Sequence, residues 1–228
     1  MFELLCERAA ATPERAVAIT FDRCISYAGL VSRARIVAQR LRGSGVRRGD
    51  RVGLLCDNCI EWLEVFFAAA AIGAILVPFS TWSTAREIDF LVSDSKVRFL
   101  FTIHRFGEHG FAEDIAALRH NTAHQGLERI ILIGAPPREG FEAYAMYGEG
   151  ESLPSLAPGE GASAADPLVI LYTRARAAVP KQSRSITSAS SRTDSTSASA
   201  RGSCWAIACS SPFRCSGPMA PSTPSRPR

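Results

Sequence analysis

RVGLLCDNCIEWLEVFFAAAAIGAILVP, residues Arg51 to Pro78, reads as a strand, a helix and a second strand in immediate succession. Arg51-Val-Gly-Leu-Leu-Cys56 is an apolar run without alternation, the pattern of a strand covered on both faces. Asn58 is the predicted N-cap of a helix over Ile60 to Ile72, with Glu61 and Glu64 placed to complement the positive end of its dipole. Gly73 ends that helix, and Ala74-Ile-Leu-Val-Pro78 is the next strand. Two strands joined through a helix run parallel, because a tight hairpin cannot connect them. The longest apolar run, Val65 to Pro78, is interrupted by Gly73 and ended by Pro78. It is too short to span a bilayer, so a buried helix entering a buried strand is expected and no membrane span.

Working outward, the same alternation continues on both sides. Phe2 to Ala11 has helical spacing and stops at Thr12-Pro13. Ala16 to Thr20 and Cys24 to Ser26 are short strands around the turn Asp22-Arg23. Ser26 opens a long amphipathic helix that runs through Leu41, with Leu30, Ala34, Val37, Ala38 and Leu41 on one face. Gly43-Ser44-Gly45 stops it, and Gly49-Asp50 turns the chain into Arg51. Beyond Pro78, helices are predicted at Ala85 to Asp94 and Ala112 to Leu118, and strands at Val97 to Thr102 and Arg129 to Ile133. Gly134 to Asp166 reads as a surface connection, and Pro167-Leu-Val-Ile-Leu-Tyr172 as one more buried strand. There is no internal repeat. The whole predicts an α/β fold, a mostly parallel sheet with flanking helices.

Composition changes abruptly after Thr173. Residues 174–228 hold eight Arg, one Lys and one Asp, which is +8, so the remaining residues carry −4 of the formal net +4. The chain divides into an enzyme-like body, 1–173, and a disordered, low-complexity Ser/Arg/Pro-rich tail, 174–228. The tail's charges are dispersed rather than blocked, which argues against a nucleic-acid-binding arm. The start, Met-Phe-Glu-Leu-Leu-Cys-Glu-Arg, lacks the basic and apolar regions of a secretory signal. Seven cysteines, an odd number, then point to reduced thiols and a cytoplasmic protein. Cys56 and Cys59 form a C-x-x-C. No second pair stands at zinc-ligand spacing, and no thioredoxin-like context surrounds them, so they read as small residues closing a strand and opening a helix. His104, His109, His120 and His124 fall in polar stretches without a paired carboxylate motif and read as surface residues. Tyr27 and Trp62 read as packing residues.

Several segments occur together in a recognisable order: Ile25-Ser-Tyr-Ala-Gly-Leu30, Gly45-Val-Arg-Arg-Gly-Asp-Arg-Val52, Asn58 with Glu61-Trp62, Ala70 to Pro78, Glu87-Ile-Asp-Phe-Leu91, and Asp94-Ser95. In this order and spacing the body resembles the N-terminal part of the large domain of the adenylate-forming enzymes. That family comprises acyl-CoA and aryl-CoA synthetases and peptide-synthetase adenylation domains. The resemblance implies a two-step reaction. A carboxylic acid attacks the α-phosphate of ATP with Mg²⁺ to give an acyl-adenylate and pyrophosphate. A thiol such as CoA then takes the acyl group. Nearly every segment quoted is scaffold, and the acid is not specified by any of them.

In the family, the strand matching Leu168 to Tyr172 enters a loop Thr-Ser-Gly-Thr-Thr-Gly-x-Pro-Lys. Its glycines let backbone N–H groups approach phosphates, and its hydroxyls and lysine contact them. Here Thr173 alone stands in place, as the nucleotide-binding residue at the start of that loop. Arg174-Ala-Arg-Ala-Ala-Val-Pro180-Lys181 follows, with no Gly, no further hydroxyl, and Pro-Lys displaced by one, so Lys181 is not carried over as a phosphate ligand. No catalytic residue and no metal ligand is assigned.

Residues 174–228 read as the same gene out of frame. Taking the third base of each codon with the first two of the next, and choosing among permitted degenerate bases, Thr173 to Lys181 can give S-G-T-S-G-R-P-K. By the same rule Ile186 to Cys209 can give a helical pattern followed by a Gly-Asp turn and a strand. Phe213 to Pro221 can give P-L-F-W-S-Y-G-A-V, similar to an aromatic and Gly-containing segment of the family. Trp205-Ala206 and Met219-Ala220 leave no freedom, and each must give Gly. The chain is thereby expected to be an inactive, incomplete fragment that binds neither ATP, Mg²⁺ nor CoA productively. Open apolar faces should make it aggregate, stay partly molten, or associate with a full-length homologue. The last case makes it an interaction module, for which co-purification with an intact ligase is the mark. A dinucleotide-binding oxidoreductase is the remaining reading, and it fails because no G-x-G-x-x-G follows an early strand.

Overall fold

The computed structural model describes residues 1–118, 126–148, 162–163, 165–173 and 181–186. The strand–helix–strand unit at residues 51–78 lies at its centre. β3 (Arg51–Leu55) pairs in parallel with β4 (Ile75–Pro78) on one side and β5 (Phe99–Ile103) on the other. Val52, Leu54 and Leu55 are fully buried, which explains why the strand shows no polar alternation. Gly53 stands where a Cβ would lie 2.9 Å from Leu100 Cδ1, so any larger residue would have to displace that buried side chain.

Around this pair the described residues form a seven-stranded sheet. Its order is β7 (Glu142–Ala143), β6 (Arg129–Ile133), β5, β3, β4, β8 (Pro167–Thr173) and β9 (Lys181–Ile186). All neighbours are parallel except β8 and β9. A separate antiparallel pair, β1 (Ala16–Ile19) and β2 (Cys24–Ser26), sits beside the first helices. The helices are α1 (Phe2–Ala11), α2 (Tyr27–Gly43), α3 (Ile60–Ile72), α4 (Ala85–Ser95), α5 (Phe111–Leu118) and the single turn α6 (Ala145–Gly148). A mostly parallel sheet with flanking helices is the α/β architecture expected from the alternation. No described helix is long and apolar enough to cross a membrane.

Local chemistry sets the helix ends. Ser26 Oγ accepts from the Gly29 N–H at 3.2 Å and caps α2. Thr84 and Glu87 form a reciprocal capping box at the start of α4. Gly73 closes α3 in the left-handed region, φ 72°, where a Cβ would also lie 2.9 Å from Arg48 Cγ. Tyr27 and Trp62 are packing residues, partly buried against the core, with Trp62 stacked on Phe66.

Four readings of the sequence need correction, the last being the wholly disordered tail. Asn58 does not cap α3: it is exposed, and Cys59 holds the cap position without a side-chain cap bond. Asp57 and Asn58 are used in turning the chain out of β3, so the cap falls one residue later. Glu64, expected to complement the helix dipole, lies beyond the first turn of α3 and is fully buried, held by Arg33 Nε and by the Tyr144 hydroxyl at 2.5 Å. Part of the surface connection is core, since Phe141, Ala143, Tyr144 and Tyr147 are buried around β7 and α6. Within the tail, Lys181–Ile186 forms β9 antiparallel to β8. The last two segments share a reason. Each lies along a sheet flank whose backbone groups would otherwise lack partners.

Arg23 ties the β1–β2 turn to α3 through a two-pronged contact with Glu61, at 2.8 and 3.0 Å. Burial pushes the Glu61 carboxyl up, but the Arg23 guanidinium outweighs it and holds the group below the usual carboxylate range. A carboxyl whose folded value is depressed stabilises the fold above its unfolded value, about 4.3. That contribution is lost as pH falls through the lower folded value. Glu61→Gln is therefore expected to flatten the fall in urea midpoint below about pH 4.3. At pH 7 it costs about 1 kcal/mol, because half of the Arg23 side chain faces water. An unchanged acid limb in the variant would refute this role.

Candidate functional site

In an open parallel sheet, ligands are taken at the carboxyl ends of the strands, where loops diverge. Here the opposite, amino-terminal edge is tied down by charge. Arg98 pairs with Asp50 and, two-pronged, with Glu128 at 2.8 and 2.9 Å. Arg48 pairs with Asp166 at 2.6 Å and Arg129 with Glu142 at 3.0 Å. These pairs link residues at or beside the starts of β3, β5, β6, β7 and β8. The carboxyl edge is left for chemistry: Cys56 after β3, Ser80 to Ser83 after β4, His104 to Gly110 after β5, and Thr173 at the end of β8.

β8 reaches that edge as a half-buried strand. Leu168 and Ile170 are buried, Leu171 is 46% exposed, and the Tyr172 hydroxyl donates to Asp94 Oδ2 at 2.5 Å. It joins the sheet through Leu76 opposite Val169, and β9 returns along its far side with Thr173 opposite Lys181. Thr173 and Lys181, which flank the segment where a phosphate loop is expected, are thus brought opposite each other in the β8–β9 pair. The intervening residues, 174–180, lie outside the described residues, as do His120, His124 and Cys204, Cys209 and Cys215.

Of the two described histidines after β5, one departs from the surface role expected of both. His104 is exposed, but His109 Nε2 lies 2.6 Å from Asp114 Oδ2 and the ring stacks on Phe111. A paired carboxylate is therefore present, five residues on, at the start of α5. Spacing alone missed it because the pair bridges a tight turn and a helix start. Beside it, His104, Arg105, Glu108, Gly110 and Glu113 line an open depression of about 410 Å³. Arg138 reaches Glu113 and His104 there, both at 3.4 Å. Its charges are mutually compensated and its mouth is wide, so it presents a solvated surface, not a shaped substrate pocket.

Comparison with known proteins agrees with this geometry. Residues 5–174 match the family model described as AMP-binding enzyme. The acyl-CoA ligase sidI of Aspergillus fumigatus is 36% identical over 137 residues, covering 58% of this chain and 23% of that protein. A medium/long-chain-fatty-acid and 3-oxocholest-4-en-26-oate CoA ligase of Mycobacterium tuberculosis is 30% identical over 180 residues, covering 75% of this chain and 30% of that protein. The chain thus spans under a third of the length of either relative. Among solved structures, a long-chain-fatty-acid CoA ligase from Rhodopseudomonas palustris superposes with a TM-score of 0.70 at 26% identity, covering 82% of this chain and 44% of that one. The anthranilate CoA ligase AuaEII, solved with anthranoyl-AMP, shares the fold at a TM-score of 0.73 and 24% identity, covering 82% of this chain and 34% of that one. The family match ends at residue 174, one residue beyond β8 and just where the composition changes. On sequence and fold together, the chain belongs to the AMP-binding enzyme family.

Proposed function

We propose that residues 1–173 are the scaffold portion of a ligase that activates a carboxylic acid as its acyl-adenylate and passes it to CoA. We propose further that the reading frame changes after Thr173, so that this chain carries no ligase activity of its own. The observation that supports both is the sequence at the end of β8. A strand in the right place, ending in Thr173, is followed by Arg174-Ala-Arg-Ala-Ala-Val179. With permitted choices of the degenerate third bases, the shifted frame can encode S-G-T-S-G-R-P-K over the same residues.

The chemistry of the donor set decides what this chain can hold. A triphosphate cradle needs several backbone N–H groups converging without Cβ obstruction, and hydroxyls beside them. Arg174 to Val179 has neither glycine nor hydroxyl, and two guanidinium groups cannot replace a converging set of N–H donors. The residues present do not fit ATP with Mg²⁺, and no step through either is assigned to this chain. A cytoplasmic location is part of the same reading, as is the tendency to associate. Leu171 on β8 is 46% exposed, and association with other copies or with a full-length homologue would begin at such apolar positions on the sheet.

The coding DNA from the codon of Leu168 to well beyond that of Arg228 tests the frame. The expected result is a shifted frame running without a stop through several hundred further codons. A shifted frame that closes within a few codons would refute the frame change and leave 174–228 as genuine tail.

A further inference from the structure

The C-x-x-C after the central strand has a geometry that its sequence alone did not reveal. Cys56 and Cys59 bring their sulfurs to 3.9 Å, with the Cys59 thiol directed at Cys56 Sγ. All four described cysteines, these two with Cys6 and Cys24, are free thiols. The pair is asymmetric. Cys56 is 8% exposed at the end of β3, whereas Cys59 is half-buried behind the exposed residues Asp57 and Asn58. Cys59 sits in extended backbone at the start of the thirteen-residue α3 and contributes no side-chain cap bond. Its side chain can therefore turn without giving up a cap. The contact with Cys59, together with burial, pushes the Cys56 thiol well above the ordinary range. Of the two, Cys59 is the sulfur that a reagent in solution can reach. Glu61, the nearest acid on α3, is engaged by Arg23 and also accepts a hydrogen bond from the Cys59 thiol, and the Asp57 carboxylate stands beside the pair.

We infer that Cys56 and Cys59 form a dithiol site that reacts with small-molecule disulfides and closes to an internal disulfide. The Cys59 thiolate attacks one sulfur of a disulfide RSSR, which releases RS⁻ and leaves a mixed disulfide on Cys59. The Cys56 thiol, losing its proton, then attacks Cys59 Sγ and expels the second RS⁻. Two protein thiols are oxidised, and one external disulfide is reduced to two thiols. Closure needs the sulfurs to approach by about 2 Å, to the usual bond length near 2.05 Å, a change that side-chain rotation supplies. The site is independent of the ligase reading, because it uses no residue of the phosphate-loop region.

Glutathione disulfide added to the native, reduced full chain is the test, followed by acid quench, alkylation and peptide mass mapping. The expected product is a peptide carrying Cys56 and Cys59 that has lost two hydrogens and resists alkylation. Exposed Cys24, the internal reference, should accumulate glutathione. Cys56→Ser should leave glutathione trapped on Cys59. Cys59→Ser should leave Cys56 modified at least about ten-fold more slowly than Cys24, as burial requires. The same two variants in guanidinium chloride should react alike, since the order of attack belongs to the fold. A wild-type product with glutathione retained on Cys59 would overturn the proposal. So would a Cys56 that, in the Cys59→Ser chain, reacts natively as fast as Cys24.

Discussion

A gene with one nucleotide inserted at the codon of Thr173 is expected to encode a protein that exchanges pyrophosphate into ATP in the presence of its acid. The 228-residue chain should show no exchange with any carboxylate. The difference should exceed about a thousand-fold, because the loop acts by holding several donors around one phosphorus, and losing even one such donor costs about 10²–10³ in rate. The insertion changes no residue before Thr173, so the α/β body is common to both proteins and serves as the control. Reproducible exchange by the purified 228-residue chain would defeat the proposal outright. A restored protein that is soluble but inactive against a broad panel of fatty and aromatic acids would count against the ligase reading, not against the frame. The coding DNA separates the two.

Glu64→Ala is expected to lower stability by about 3 kcal/mol. Glu64 is the one fully buried charged residue among those described, and it joins α2, through Arg33, to the residues beside α6, through Tyr144. Burial and the facing Glu64 carboxylate keep the Tyr144 phenol protonated, its value raised far beyond the ordinary range. Removing the carboxylate strands both partners. The cost falls at the low end for a buried pair because the Arg33 side chain is 38% exposed and water recovers part of it. For a body of this size that corresponds to a midpoint lower by about 6–12 °C. Tyr144→Phe should cost about 2 kcal/mol, since it removes one hydrogen bond to a charged acceptor and leaves the ion pair. Amide-exchange protection in α2 and α3 reads the same effect locally. Equal effects of Glu64→Ala and Tyr144→Phe would mean that Arg33 contributes nothing, contrary to the geometry.

The contrast between Glu64 and its neighbour Glu61 shows where the sequence is legible. Both stand in the first half of α3 and both read as suited to the positive end of a helix. Glu61 plays a related part at the surface, paired with Arg23. The partners of Glu64 are 31 and 80 residues away, and no local pattern carries that information. The same holds for the residues from Phe141 to Tyr147. Their Gly- and Pro-rich surroundings read as loop, yet Tyr144 and Tyr147 pack edge-on against Phe101 of β5. Strands β3, β5 and β6 were legible because full burial leaves uninterrupted apolar runs. The cap of α3 was not, because Asn58 is the better capping residue and only the path of the chain out of β3 moves that position to Cys59. At the candidate site, the strand leading to Thr173 could be read from its apolar run. Its register with Lys181 is a long-range pairing and could not.

The order of strands across the sheet also has a meaning in time. β3, the first strand of the large sheet to leave the ribosome, lies inside it. β4 and then β5 add on its two sides, β6 and β7 extend one flank, and β8 arrives late on the other. The sheet grows from the middle outward as it is synthesised, and each new strand docks on one already formed. Under the proposed change of reading frame, the altered residues would reach a sheet whose middle strands had already docked, so the defect would lie on the β8 side alone.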